Sequence, residues 1–231
     1  MRRGVLEARG IVFGYGDEPI LNGVDLQLGD GDVVVVYGPT GSGKTTLLLV
    51  LAGLLKPWRG ELYFMGQPMD GIRARRYIGI AFQNPDDMFF NSTVFDEIAY
   101  TPARLYGAEE GRRLAKEVAE KLGVAHLLDR PPYKLSGGQK KLVSIAAAVA
   151  HGPRLVFLDE PTAYLDADTA ERVIQLVEEL RGGGTAFVVA THDLELLCRL
   201  QARAYRLEEG RLIEGAPQPR KTLCLCGQGS A

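Results

Sequence analysis

Only three cysteines occur in 231 residues, at positions 198, 224 and 226, and an odd number so placed makes no disulfide framework. Such usage fits a reducing compartment. Long hydrophobic runs are missing too: the longest, Leu47 to Leu55, falls well short of the roughly 18 residues that span a bilayer. Arg2-Arg3 opens the chain, but Val5 to Ala8 is too short and mixed for the apolar core of a secretory signal. The chain is therefore expected in the cytoplasm. There is no surplus of positive charge, since 27 Lys and Arg face 29 Asp and Glu for a net charge of −2. Nothing in that balance advertises a nucleic-acid partner. With 46% hydrophobic residues, the length suits one sizeable core with a smaller lobe attached.

What the chain does have is glycine in particular places. Val33 to Tyr37 is a β-branched run bounded by Gly31-Asp32 and Gly38-Pro39, which reads as a strand buried on both faces. Gly38-Pro39-Thr40-Gly41-Ser42-Gly43-Lys44-Thr45-Thr46 follows, and then a leucine-rich helical pattern. Glycines here let successive N–H groups turn inward around an anion, and the helix that starts at Thr45 aims its unpaired N–H groups at the same spot. The spacing is that of the phosphate loop, with Lys44 set to reach the β- and γ-phosphates and the Thr45 hydroxyl to hold Mg²⁺. A nucleoside triphosphate is the implied ligand.

Upstream, Val5 to Ala8 and Ile11 to Tyr15 read as two short strands separated by Arg9-Gly10, and Val24 to Leu28 alternates as a half-buried strand does. Together they suggest a small antiparallel sheet. Tyr15 either stacks on a purine base or shares a strand face with Phe13 and packs in the core. Downstream, Glu61 to Met65 and Ile78 to Phe82 are strand candidates, the second ending at Gln83. From Asn84 to Pro153 the helical stretches Phe95 to Tyr100, Arg112 to Leu122 and Gln139 to Ala150 follow one another without a strand, which implies an inserted helical lobe.

Within that lobe Leu135-Ser136-Gly137-Gly138-Gln139 opens a helix. Ser136 and Gln139 make a capping box, yet paired glycines would be costly in a turn built for stability alone. The alternative is half of a shared anion site. Leu155 to Asp159 is then an apolar strand ending in Asp159-Glu160. Asp159 is placed to hold Mg²⁺, and Glu160 to orient and deprotonate an attacking water. Asp166 precedes a helix for which Asp168 and Glu171 form the expected capping pair, with Val173, Ile174, Val177 and Leu180 as its buried stripe. Ala186 to Ala190 is one more buried strand, and His192 at its end is either structural or a γ-phosphate contact.

Taken in order, these motifs make the chain resemble the nucleotide-binding subunits of ABC transporters over nearly its whole length. The resemblance implies an α/β fold: a RecA-like P-loop NTPase core over residues 1–83 and 154–215, including an N-terminal antiparallel β subdomain, a helical subdomain over 84–153, and a tail from 216. It also implies ATP and Mg²⁺ as cofactors and assigns roles. Tyr15 stacks on adenine; Gly38 to Thr45 form Walker A, with Thr46 beside them at the nucleotide; Leu135 to Gln139 form the signature, of which Ser136, Gly137, Gly138 and Gln139 reach the nucleotide; Asp166 ends the D-loop. Thr45, Gln83 and Asp159 hold the metal, and Glu160, Gln83 and His192 serve hydrolysis. In this family two domains pair head to tail, so the Ser136-Gly137-Gly138 corner covers the ATP held by the partner's Walker A. Partners are thus an identical or sister ATPase and integral membrane subunits, with the chain peripheral on the cytoplasmic face.

Gln83-Asn84-Pro85-Asp86-Asp87-Met88-Phe89-Phe90, followed by Thr93-Val94 and Asp96-Glu97-Ile98-Ala99, is similar to the ATPases of energy-coupling factor importers for cobalt, nickel and vitamins. There this region contacts the coupling subunit in the membrane. Lys140-Lys141 after the signature, Ala163-Tyr164 in the D-loop and the little chain that follows Glu214 depart from that group, and the last implies weak association without ATP. Other ABC importers or exporters use the same engine. Non-transport ABC ATPases usually need long coiled coils or two cassettes, and this sequence shows neither. Cys224-Leu-Cys226 is read either as a tail or as half of a metal site.

Overall fold

The computed structural model describes residues 4–215, so Arg2-Arg3 and the Cys224-Leu-Cys226 pair lie outside the described residues. The first strand, β1 (Gly4–Phe13), pairs antiparallel with β2 (Leu21–Gly29). The break expected at Arg9-Gly10 is instead a bulge inside one continuous strand. The register shifts between Ala8 and Ile11, Gly10 takes φ +58°, and its N–H donates to Asp25 Oδ1 at 2.8 Å. A glycine supplies the bend because the ladder continues on both sides of it.

Next comes β3 (Val33–Tyr37), then helix α1 (Lys44–Leu51), then β4 (Arg59–Phe64) and the short β5 (Gln67–Pro68). β4 and β5 complete a four-stranded antiparallel sheet in the order β2-β1-β4-β5. After the one-turn α2 (Gly71–Ala74) and β6 (Ile78–Ala81), three main helices follow without a strand: α3 (Val94–Tyr106), α4 (Ala108–Lys121) and α5 (Gly137–Val149). α3 runs past its expected end at Tyr100, through a buried Pro102. α4 approaches α3 so closely that a Cβ on Gly111 would lie 2.5 Å from the Ala103 backbone. The chain closes with β7 (Leu155–Asp159), α6 (Ala167–Gly182), β8 (Ala186–Thr191), α7 (Leu194–Leu200), β9 (Arg203–Glu208) and β10 (Arg211–Glu214).

The second sheet is six-stranded, β10-β9-β3-β8-β7-β6, with every pairing parallel except β9 with β10. β3 lies inside it and is apolar on both faces for a visible reason. Val34 and Val36 pack toward α1 and the antiparallel sheet, while Val33 and Val35 pack toward the helical layer. Register aligns the strand ends: Tyr37 lies opposite Thr191, Asp159 opposite Ala190, and Ala81 opposite Leu158. The segments that follow β3, β6, β7 and β8 therefore leave the sheet at one edge, where open α/β sheets bind ligands.

One buried group sits outside this edge. His151 follows α5, is 3% exposed, and neither ring nitrogen makes a well-formed hydrogen bond among the described residues. Burial pushes its pKa down to about 4, a nearby Ile78 backbone group offsetting part of that. A folded pKa below the unfolded value of about 6.5 means the neutral form is favoured by folding. Its contribution is complete above pH 6.5 and is lost as pH falls toward 4, by about 3 kcal/mol in all. Melting temperatures should therefore fall between pH 6.5 and 5 in the native chain and fall less in His151→Leu. Parallel declines in the two proteins would rule this out.

Candidate functional site

The loop between β3 and α1 is shaped by glycines whose positive φ other residues rarely adopt. Gly43 has φ +96°, and a Cβ there would meet Ile20 Cγ2 at 2.7 Å. Lys44 folds back over the loop and donates to the carbonyl oxygens of Gly38 at 2.9 Å and Pro39 at 3.0 Å. Ser42 Oγ is buried with no partner, an orphan group of the kind an incoming phosphate oxygen would satisfy. Pro39, Thr40 and Gly41 are exposed, and Thr46 is buried in α1.

Thr45 Oγ1 donates to Asp159 Oδ2 at 2.6 Å, which joins the start of α1 to the end of β7. Asp159 is 2% exposed. Burial raises its pKa, against the Thr45 hydrogen bond and the Lys141 and Lys44 charges, which favour the ionised form. Gln83 is exposed and borders, with Thr45, Asn84, Asp86, Lys140 and Tyr164, a cavity of about 680 Å³. The side chains of Thr45, Asp159 and Gln83 offer only hard oxygen donors for a metal, which suits Mg²⁺.

Glu160 follows directly, with its backbone in the left-handed region at φ +48°. Its carboxylate accepts from Thr191 Oγ1 at 3.0 Å and from the His192 backbone N–H at 3.1 Å. His192 Nδ1 lies 2.7 Å from Glu160 Oε1. With a carboxylate as acceptor, Nδ1 carries the proton and Nε2 is left facing outward. The imidazole side chain is 73% exposed while that of Glu160 is 8% exposed, so a shielded base stands behind an accessible ring. Thr191 was not singled out by the sequence. It lies one residue past the expected end of its strand at Ala190, and only the parallel register, with Ala190 opposite Asp159, brings it to Glu160.

The signature corner faces outward. Ser136 caps α5, its Oγ accepting from Gln139 N–H at 3.3 Å while Gln139 Oε1 accepts from Ser136 N–H at 3.1 Å. The capping box is thus present, and Ser136 and Gly137 remain exposed beside it. Ser136, Gly138, Gln139, Asp166, Tyr164 and Arg172 border a second cavity of about 640 Å³. Asp166, and not Asp168, caps α6, accepting from Thr169 N–H at 2.8 Å. The expected capping pair fails because the helix starts two residues earlier, and Glu171 pairs with Arg199 instead. Tyr15 stands beyond the end of β1, 65% exposed and edge-on to Phe13 with ring centroids 5.2 Å apart. It shares no strand face with Phe13, and the core-packing alternative falls.

Two further groups were missed. Glu97, 6% exposed on α3, accepts from the N–H groups of Phe90 and Asn91 and from Asn91 Nδ2. It folds the segment after Gln83 so that Phe90, 65% exposed, rests edge-on against Tyr100. Lys141 is fully buried and bonded to three carbonyls. A charged residue on the buried face of a helix was the available signal for both.

Residues 21–163 match the family model described as ABC transporter. The energy-coupling factor transporter ATP-binding protein EcfA of Methanothermobacter thermautotrophicus is 38% identical over 92% of this chain and 71% of its own length. Among solved structures, CbiO1 from Clostridium perfringens, part of the ABC transporter complex CbiONQ, superposes with a TM-score of 0.80 at 30% identity, covering 93% of this chain and 89% of that one. A dimeric ATP-binding cassette in a post-hydrolysis state with ADP and Pi gives a TM-score of 0.83 at 28% identity over 93% and 99%. The fold, the motif order and these likenesses agree: the chain belongs to the ABC transporter family, as an ATP-hydrolysing subunit.

Proposed function

We propose that this chain powers an energy-coupling factor importer for a metal ion such as cobalt or nickel, or for a vitamin, working as a head-to-tail dimer with an identical or sister ATPase. One observation carries the reading: Lys44, Thr45, Asp159, Glu160 and His192 gather at one sheet edge, while the Ser136-Gly137 corner of the same chain faces outward. Two phosphate-reading surfaces on one chain can meet one γ-phosphate only from opposite sides. Each site is then complete only when a second copy supplies the corner.

In that dimer the loop N–H groups, Ser42 and Lys44 bind the phosphates, and Tyr15 stacks on the base. Thr45, Asp159 and Gln83 would hold Mg²⁺, which neutralises charge on the β- and γ-phosphates. Glu160 takes a proton from the attacking water, and its hydrogen bond to His192 fixes the ring so that Nε2 faces the γ-phosphate. Asp166 faces the second copy. Loss of the γ-phosphate removes the contact that holds the closed state, and the pair opens.

The importer assignment is supported by the segment Gln83 to Phe90 and by the EcfA and CbiO1 likenesses. Glu97 shapes that segment and Phe90 projects from it, as a peripheral contact with membrane subunits requires. No helix among the described residues is long and apolar enough to cross a membrane. Affinity capture from solubilised membranes tests the assignment. The expected co-purifying chains are integral membrane subunits, among them the coupling subunit that this segment would contact. Recovery with a single large exporter-like membrane protein would contradict it.

A further inference from the structure

Lys141 takes no part in the chemistry above, yet it heads the fully buried side chains among the described residues, with 0% exposure. Burying an ammonium is expensive, and a methionine would fill the same space without that cost. The side chain spends its charge on backbone. Nζ donates to the carbonyl oxygens of Phe82 at 2.9 Å, Gln83 at 2.8 Å and Asp159 at 3.2 Å. Three acceptors use all three N–H bonds of the charged form, and none of the three carbonyls would keep this partner if Lys141 were apolar.

The location of those carbonyls matters. β6 and β7 pair as far as Ala81 opposite Leu158, and the chains then diverge. Phe82 and Gln83 belong to the segment leaving β6, and Asp159 ends β7. Lys141 reaches from α5 into the gap just past the last rung. Its neighbour Lys140 grips the outer part of the same segment through Asp86 at 2.6 Å. We propose that Lys141 is a positioning residue: it ties the segment carrying Gln83 to the strand end carrying Asp159, and so fixes the spacing of the two metal-facing side chains. This rests on the reading that Gln83 and Asp159 serve one nucleotide site.

The test uses the full chain and compares Lys141→Met, Lys141→Gln and Val143→Ala, the last trimming the same helix without touching these carbonyls. Equilibrium binding of a fluorescent ATP analogue is measured with and without Mg²⁺, alongside kcat and KM. Lys141→Met is expected to bind the analogue as native without Mg²⁺. The tightening that Mg²⁺ brings should shrink about tenfold, and kcat should fall about 10- to 100-fold. Lys141→Gln, whose amide still serves two carbonyls, should recover part of both. Val143→Ala should lower the melting temperature and leave the Mg²⁺ effect intact. A native Mg²⁺ effect in Lys141→Met, or in Lys141→Gln should the first variant not fold, overturns the positioning role, as does an equal loss in Val143→Ala. Asp159→Asn separates the two ideas. If it keeps the full Mg²⁺ effect, the site reading fails and the proposal with it; if it loses the effect while both Lys141 variants keep it, only the positioning role fails.

Discussion

Replacing Glu160 with glutamine should leave ATP binding intact, cut turnover by about 10²- to 10⁴-fold and accumulate an ATP-bound dimer. The carboxylate is held by Thr191 Oγ1, the His192 N–H and His192 Nδ1, all of which act as donors toward it. Glutamine keeps the size of the side chain but has no basic oxygen to take a proton from water. Its NH₂ group also meets at least one of those donors. None of these contacts involves the phosphate loop, so the grip of Lys44 and the loop N–H groups is untouched. The closed state therefore forms and persists, because nothing removes the γ-phosphate that bridges it. Single-turnover kinetics with light scattering read both halves of the expectation. Turnover at the native rate would remove Glu160 from its role, and lost ATP affinity would make it a binding group.

Much of this was legible because phosphate chemistry is written in local residue types. Gly43 has to be glycine for its φ and for Ile20, and the pattern around it declares itself without tertiary information. Asp159-Glu160 and His192 were legible as strand ends, since an apolar run stopping at a charge marks the edge of a buried parallel sheet. Three things were not legible. Arg9-Gly10 carries the signal of a turn but makes a bulge, because only the partner strand β2 decides whether the ladder resumes. Asp166 and Asp168 are equally good caps on paper, and it is Asp166 that takes the extended backbone of a cap and accepts from the Thr169 N–H. β9 and β10 give weak patterns, mixed with arginine and glutamate, and owe their existence to the open edge of β3 and to each other. Lys141 lies between these cases. Its charge on a buried face was visible, but its three acceptors come from segments 18 and 58 to 59 residues away.

The central claim is that each active centre is built from two copies, and mixing two inactive variants tests it most directly. Lys44→Ala removes the cation beside Gly38 and Pro39 and should weaken ATP binding roughly 10- to 100-fold at its own loop. Gly137→Asp spoils the other corner. A Cβ there meets nothing within 4 Å, and an acid in the first turn suits the helix, so the fold survives. Its charge, however, repels the phosphate that the corner should receive. Each variant alone has no intact site. A mixed pair has one, formed by Lys44 of the Gly137→Asp chain and the native corner of the Lys44→Ala chain. Equal mixing should therefore restore ATPase activity to roughly a quarter of native, as expected for random pairing in a two-fold dimer. A mixture as inactive as its two components would contradict the account.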